Sequence, residues 1–226
     1  MTSGVLAVDE LAASFDEEQR ALSIQKTQTE RAICKKYSTM LRQVPAEVVL
    51  SFAEQLLFAY HYRWQAYEVI ATHQAAYCSL GEDRLTQFGQ GIDSWWATDS
   101  FARTLSGPMW RDGLIGDTLI TEWALSPDLW WRRAALVSTV AFNVRSLGGR
   151  GDTGRTILIC RMLAADHQDM VVKALSWSLR ELVYFDRQAV GEFLEEYWDV
   201  LAGRVKREVG NKLRTGLKNK GRTVNE

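Results

Sequence analysis

Helix-forming segments separated by short breaks recur along the whole chain, and this recurrence constrains the fold more than any other feature. Only three prolines occur in 226 residues, and runs rich in Ala, Leu, Glu and Arg fill the stretches between them. Such runs favour helices, whereas proline and glycine interrupt them. We therefore predict an all-α fold with helices over 8–31, 46–59, 62–78, 82–89, 95–105, 111–125, 127–146, 153–165, 168–184, 187–203 and 204–215.

From residue 46 onward the predicted helices come in pairs of about 35–45 residues per pair. This period is typical of an α-solenoid of HEAT-like helical repeats that form a concave cleft, and a compact irregular bundle is the alternative. The corresponding division is an N-terminal helical segment (1–40), a HEAT-like repeat domain (41–203) and a basic C-terminal helix or tail (204–226).

Charge is distributed unevenly along the chain. Residues 201–226 carry eight Lys and Arg against two Glu, a net +6, so residues 1–200 carry −7 because the whole chain carries −1. A basic end of this kind is either a solvated tail or a contact for nucleic acid.

Several classes of protein are disfavoured. The three cysteines and three histidines are scattered, which argues against a disulfide framework or a metal site. The glycine-rich stretch 148–154 lacks the residue order of a phosphate-binding P-loop. No apolar run approaches the roughly 20 residues of a membrane helix, and no secretory signal pattern is seen, so we expect a cytoplasmic protein, monomeric and without membrane contact.

The stretch "SWWATDS" places two indoles beside a carboxylate. If Ser94 caps a helix, Asp99 lies about 40° around the axis from Trp95 and about 60° from Trp96, with Arg103 one turn further on. An aspartate between apolar walls needs a compensating cation. Two interpretations follow: an ion pair between Asp99 and Arg103, or a site that meets a positive charge from outside.

A second helix starts at "SPD", where Ser126 is the predicted cap and Pro127 the first helical residue. Arg132 then faces water, whereas Arg133 lies on the side of the apolar stripe and needs a partner. It is either a structural arginine paired with a carboxylate or helix-end carbonyls, or a guanidinium available to a phosphate.

A third helix, predicted over 168–184, carries Trp177 away from its packing stripe, between Lys173 and Arg180. The indole is either covered by a neighbouring repeat, with the cations extended over it, or exposed together with them to a nucleic-acid backbone or base.

These three places together resemble the AlkD-like DNA alkylation repair family, whose catalytic members are HEAT-like repeat DNA glycosylases. The resemblance is carried by "SWWATDSFA" (94–102), "WALSPDLWWRRAALV" (123–137) and "VVKALSWSLREL" (171–182), and extends over about residues 45–210. This chain departs from the family at Trp95-Trp96-Ala97-Thr98-Asp99, where catalytic members often read Trp-Trp-Asp-x-x-Asp, so the motif here is one residue shorter or of a different subtype. It departs again in "YSTMLRQVPAEVV" (37–49), which has Pro45 but lacks the family's glycine.

The resemblance implies a role for each residue. Asp99 takes the position of the catalytic aspartate, with Trp95 or Trp96 as its aromatic neighbour and Trp177 as the second tryptophan of the cleft. Arg133 takes the position of the arginine that holds the DNA backbone, and Lys173 and Arg180 are further phosphate contacts.

The implied activity is excision of positively charged alkylated purines, of the 3-methyladenine or 7-methylguanine type, from double-stranded DNA in base excision repair. No metal or organic cofactor is implied. The alternative is a non-catalytic HEAT-like scaffold that binds DNA or another protein, and a less favoured interpretation leaves nucleic-acid binding to the basic tail alone.

Overall fold

The computed structural model describes residues 8–22 and 27–219, and all regular secondary structure within these ranges is helical. The predicted all-α class is confirmed for this part of the chain. The helices are α1 (Val8–Arg20), α2 (Thr27–Met40), α3 (Ala46–Glu54), α4 (Arg63–Thr72), α5 (Gln74–Ser79), α6 (Glu82–Gly89), α7 (Trp95–Phe101), α8 (Gly107–Arg111), α9 (Asp117–Ala124), α10 (Leu129–Ser138), α11 (Val140–Asn143), α12 (Thr153–Met162), α13 (Asp169–Leu182), α14 (Arg187–Glu196) and α15 (Gly203–Thr215).

The chain divides into two compact units between Gln90 and Gly91. The first unit contains α1–α6. Its core includes an aromatic cluster in which the Phe15 ring contacts Tyr37, Phe52 and Tyr62 at centroid distances of 5.0, 6.1 and 5.4 Å. These rings join α1, α2 and α3 to the start of α4, so side chains from four segments close one core.

The second unit contains α7–α15, and α10 lies at its centre, packed against α7, α9 and α13. Phe101 of α7 contacts Trp123 of α9 and Trp131 of α10, at 5.8 and 6.1 Å between ring centroids. Because α10 contacts both α7 and α13, it brings together the segments that carry Asp99 and Trp177.

The helix that begins at Trp95 was predicted to end at residue 105, before Ser106-Gly107-Pro108. In the structure it continues through α8 to Arg111. A π-helical turn, Ala102–Ser106, precedes the proline, and the Gly107 amide donates to the carbonyl of Ala102 five residues back. The wider turn accommodates the ring of Pro108, which in a regular α-helix would clash with the carbonyl four residues before it. Gly107 itself is required by packing, since a Cβ there would lie 2.7 Å from the Ser138 carbonyl oxygen.

Other predicted boundaries also need correction. The helix predicted over 8–31 ends at Arg20, and the one predicted over 62–78 is interrupted at His73, whose Nδ1 accepts the amide of Ala76 and caps α5. Helix α9 starts only at Asp117, after a turn at residues 112–116. Helix α10 starts at Leu129 and is capped by Asp128, so Ser126 is not its cap and Pro127 is not its first residue. The Ser126 hydroxyl instead accepts the amide of Asp128, in the turn before the helix.

The basic C-terminal segment forms a packed helix over most of its described length. Val205 and Val209 of α15 are fully buried, and α15 packs against α13. Lys220 and Arg222 of the predicted tail, like residues 1–7 and 23–26 of the predicted N-terminal segment, lie outside the described residues. Within the described ranges, none of the helices combines the length and apolarity needed to cross a bilayer.

Candidate active site around Asp99

Helix α7 begins with a serine cap followed by two exposed indoles. Ser94 accepts the Ala97 amide through its hydroxyl, as predicted, and its own carbonyl accepts the Thr98 hydroxyl at 2.9 Å. The cap fixes where the helix starts, so Trp95 and Trp96 occupy its first turn, where each remains about half exposed, at 53% and 49%. Large apolar side chains left in water mark a surface for a partner or ligand.

Asp99 lies one turn after these indoles and is held by Arg133 of α10. The Arg133 Nε and Nη2 groups donate to the two carboxylate oxygens, each at 2.9 Å. This bidentate arrangement fixes the plane of the carboxylate as well as its position. The Arg133 side chain is only 6% exposed and that of Asp99 is 16% exposed, so the carboxylate is the partner that still reaches the surface.

The third donor of Arg133, Nη1, binds the main-chain carbonyl of Met170 in the first turn of α13. A single guanidinium therefore links α7, α10 and α13. This is the structural interpretation of Arg133, paired with a carboxylate and a backbone carbonyl, rather than a guanidinium open to phosphate. The ion pair between Asp99 and Arg103, one of the two interpretations of the sequence, does not form, and Arg133 reaches Asp99 across the helix interface instead.

The charge state of Asp99 reflects both its burial and its partners. Burial raises the pKa of the Asp99 carboxyl above its ordinary value, while the hydrogen bonds and charge of Arg133 and the charge of Arg103 act in the opposite direction. Two accepted hydrogen bonds leave further lone pairs on the carboxylate for a water or a ligand. The ionised group can therefore stabilise positive charge that develops nearby.

Trp177 of α13 is half-buried and fixed by two neighbours. Its indole N–H donates to the Glu181 carboxylate at 3.0 Å, one turn further along α13. The guanidinium carbon of Arg103 lies 5.7 Å from the ring centroid, within the range of a cation–π contact. Neither Glu181 nor Arg103 was predicted as a contact of Trp177, although the i, i+4 spacing of Trp177 and Glu181 could have indicated the first.

The two cations predicted to accompany Trp177 lie in different environments. Lys173 is 38% exposed and pairs with Asp169 at 2.6 Å, an arrangement that water or a phosphate can replace. Arg180 is 15% exposed and lies between Ser176 and the buried Glu208 of α15. Burial lowers the pKa of Arg180 and the charge of Glu208 opposes this effect, so Arg180 belongs to the α13–α15 interface and not to an open basic face.

No group of three His, Cys, Asp or Glu side chains in the described ranges is arranged to hold a metal ion. The chemistry available around Asp99 is that of a carboxylate, three indoles and the nearby cations. These groups suit a ligand that combines positive charge with a planar, electron-poor surface.

Comparison with known protein families agrees with the sequence-based resemblance. A family model described as DNA alkylation repair enzyme matches residues 7–213, which is most of the chain. No curated protein and no solved structure gave a match. The matched range includes Asp99, Arg133 and Trp177, so the family assignment and the geometry concern the same part of the molecule.

Proposed function

Because the chain belongs to the DNA alkylation repair enzyme family, which assigns it a role in that repair, we propose that it is a DNA glycosylase for positively charged alkylated purines. The substrate class is 3-methyladenine or 7-methylguanine in double-stranded DNA, and the reaction is hydrolysis of the N-glycosidic bond. We also propose that the HEAT-like architecture implied by the resemblance applies here.

The chemistry of such a substrate matches a site with one carboxylate and several indoles. Alkylation at N3 or N7 gives the base a positive charge, so it departs with the bonding electrons as a neutral purine. Positive charge then develops on the sugar in an oxocarbenium-like transition state, and a water oxygen forms the new bond to C1′ while the water loses one proton to the solvent. Negative charge placed beside the sugar stabilises this state.

In this proposal Asp99 supplies the negative charge and orients the water. Trp95 or Trp96 and Trp177 present their π faces to the sugar and to the cationic base. Lys173 is a phosphate contact, since its exposed pair with Asp169 is easily exchanged. Arg133 positions Asp99, and Arg180 supports α13 from its interface with α15.

The single observation that supports catalysis most strongly is the Asp99–Arg133 pair. The arginine is buried and holds the carboxylate in one orientation, while the carboxylate remains partly exposed on a helix that starts with two exposed indoles. Preorganised charge of this kind needs no rearrangement when the transition state forms.

A non-catalytic scaffold that binds DNA or another protein is the second candidate. It is favoured by the net charge of −7 on residues 1–200, since proteins that enclose DNA usually present a basic surface. This candidate predicts DNA binding without base release.

The test is release of free 7-methylguanine and 3-methyladenine from methylated duplex DNA by wild type and Asp99→Asn. We expect the substitution to slow release by about 10²–10³-fold while folding and DNA binding are retained. Asp166→Asn is a matched control, because Asp166 pairs with the neighbouring Arg132 at 2.7 Å and its side chain is also largely buried, at 11% exposed. This control should release base at the wild-type rate per folded molecule.

If wild type binds methylated duplex but releases no base, the glycosylase assignment is wrong and the scaffold candidate takes its place. If Asp99→Asn and Asp166→Asn slow release equally, Asp99 has no special role in the chemistry.

A further inference from the structure

Asp169, the first residue of α13, lies between two cations from different helices. Its carboxylate pairs with the Lys173 ammonium at 2.6 Å, one turn further along α13, and with the Arg204 guanidinium of α15 at 4.0 Å. The Asp169 side chain is 60% exposed, and both cations are partly exposed. A single carboxylate that is open to water therefore joins the first turns of α13 and α15.

The second partner of Arg204 holds it in place independently of Asp169. Arg204 donates to the Glu208 carboxylate at 3.3 Å, and the buried Glu208 also accepts the Ser176 hydroxyl at 2.7 Å. A buried carboxylate with several partners is costly to move, whereas an exposed ion pair is exchanged at little cost. If Asp169 turned away, Glu208 would still direct Arg204 to the same surface.

This surface borders the Asp99 site. Asp169 directly precedes Met170, whose carbonyl binds the Arg133 guanidinium. The hydrogen bond from Lys173 lowers the pKa of the Asp169 carboxyl, and the charge of Arg133 acts in the same direction. A ligand that replaced the Asp169 carboxylate between these cations would also be an anion, and it would lie beside the helix interface that holds the site.

We propose that Lys173 and Arg204 form a clamp for one phosphate of the DNA backbone, and that the Asp169 carboxylate occupies this clamp in the DNA-free protein. Phosphate oxygens accept hydrogen bonds from the same two groups, so a phosphate can take the place of the carboxylate. The inference rests on the proposed function and adds Arg204, and with it the basic helix α15, to the DNA contacts. An acid that is displaced on binding also reconciles a DNA contact with the acidic charge of residues 1–200.

Loss of Arg204 from the clamp should reduce the number of phosphates that the protein neutralises. Each neutralised phosphate contributes about 0.9 to the slope of log affinity against log salt concentration. We expect Arg204→Gln, which keeps a donor for Glu208, to lower the magnitude of this slope by about 0.9. Lys206→Gln is the matched control and should leave the slope unchanged. Lys206 carries the same charge on the same helix, but it lies about 200° around the axis, with its ammonium over the Trp198 ring.

Loss of the competing carboxylate should have the opposite effect. We expect Asp169→Asn to bind duplex DNA about two- to fivefold more tightly, which corresponds to the strength of an exposed ion pair. Glu196→Gln is the control, because Glu196 is an exposed acid of the same unit that pairs with Arg161 at 3.0 Å, and it should bind with wild-type affinity. Where Lys173→Ala and Arg204→Gln have removed the clamp, Asp169→Asn should gain less.

The measurement is fluorescence anisotropy of a labelled, undamaged duplex with the full chain, over a series of KCl concentrations. Circular dichroism checks that each variant is folded. An undamaged duplex is used because a backbone contact does not require an alkylated base.

The proposal is overturned if Arg204→Gln and Lys206→Gln change the slope equally, since only net charge would then matter. It is also overturned if Asp169→Asn binds no more tightly than wild type, or if its gain is as large without the two cations. These outcomes are separate from base release. A protein that excises alkylated purines but shows no clamp keeps its glycosylase function and loses this inference, whereas a clamp without excision has the opposite meaning.

Discussion

Two consecutive arginines of α10 each pair with a largely buried aspartate from another part of the second unit. Arg133 pairs with Asp99 through two bonds of 2.9 Å, and Arg132 pairs with Asp166 through one of 2.7 Å. The residue types are the same and the exposed fractions are similar. What differs is the set of other groups that each pair contacts.

The Arg132 pair fastens two turns of the main chain. Arg132 Nη1 also donates to the carbonyls of Ser126 and Pro127, and the second Asp166 oxygen accepts the amide of Gln168. The expectation that Arg132 faces water is wrong for this reason: its side chain is 17% exposed and its donors are directed at the turn before α10. Both members of the pair are therefore occupied by main-chain groups of the protein.

In the Arg133 pair, the arginine binds a main-chain group, the Met170 carbonyl, and within the described residues the aspartate side chain binds none. In the described residues the hydrogen bonds to the Asp99 side chain come from Arg133, and burial raises the pKa of the carboxyl. A carboxylate with capacity left for another donor, next to exposed indoles, is suited to a ligand. The comparison teaches that a buried ion pair alone does not indicate a binding site. The useful sign is a carboxylate that can still accept a hydrogen bond from a ligand.

Replacement of the arginines should have the largest effect. Arg133→Met should lower the free energy of unfolding by about 3–5 kcal/mol, because it leaves a buried carboxylate and the Met170 carbonyl without their shared donor. Arg132→Met should cost less, since the Arg132 side chain is 17% exposed against 6% for Arg133, so water can replace part of its contacts. Urea denaturation at pH 7 measures both.

Equal losses, or a larger loss for Arg132→Met, would contradict the distinction between the two pairs. A double variant, Arg133→Met with Asp99→Asn, keeps the test informative if the single variant does not fold, because it removes the buried charge and should recover part of the lost stability.

The pH dependence of stability should give the next largest effect, and it concerns Asp99. The raised pKa of folded Asp99 means that the folded state binds more protons than the unfolded state, so stability from this group is present at low pH and is lost as pH rises through the folded pKa. The advantage of wild type over Asp99→Asn in unfolding free energy should therefore decrease as pH rises above the ordinary aspartate pKa of about 4.

The same shift predicts that catalysis by ionised Asp99 declines on acidification at a higher pH than for an ordinary aspartate. Base release, corrected for the uncatalysed rate, measures this acid limb. Loss of either nearby cation, Arg133 or Arg103, should move the limb to still higher pH. A limb at or below the ordinary aspartate range would exclude Asp99 as the titrating group.

The sequence predicted the parts of this site that depend on a single helix. The Ser94 cap and the start of α7 at Trp95 follow from local spacing and are found in the structure. Asp186 caps α14 in the same way, since its carboxylate accepts the amide of Ala189. These features need only the geometry of one helical turn.

The parts that depend on contact between helices could not be predicted in this way. The spacing of residues within α10 shows that Arg133 points toward the core, but not that α7 supplies its partner. Extrapolation from Asp99 at the regular helical period places Arg103 next to it, whereas the π-helical turn from Ala102 changes the direction of Arg103, which contacts Trp177 instead.

The smallest expected effect concerns the hydrogen bond between the Trp177 indole and Glu181. Glu181→Leu should slow base release by about two- to tenfold, since loss of a hydrogen bond of roughly 0.5–1.5 kcal/mol frees the indole to turn away from the substrate. Glu181→Gln keeps an acceptor for the indole N–H and should restore most of the rate, and the ¹⁵N shift of the Trp177 indole should follow the same order.

If Gln and Leu slow release equally while the indole signal stays in place, the charge of Glu181 matters and its hydrogen bond does not. The orientation of Trp177 would then be set by packing on α13 and by Arg103, and the contrast between the two arginine pairs would depend on Asp99 and the indoles of α7 alone.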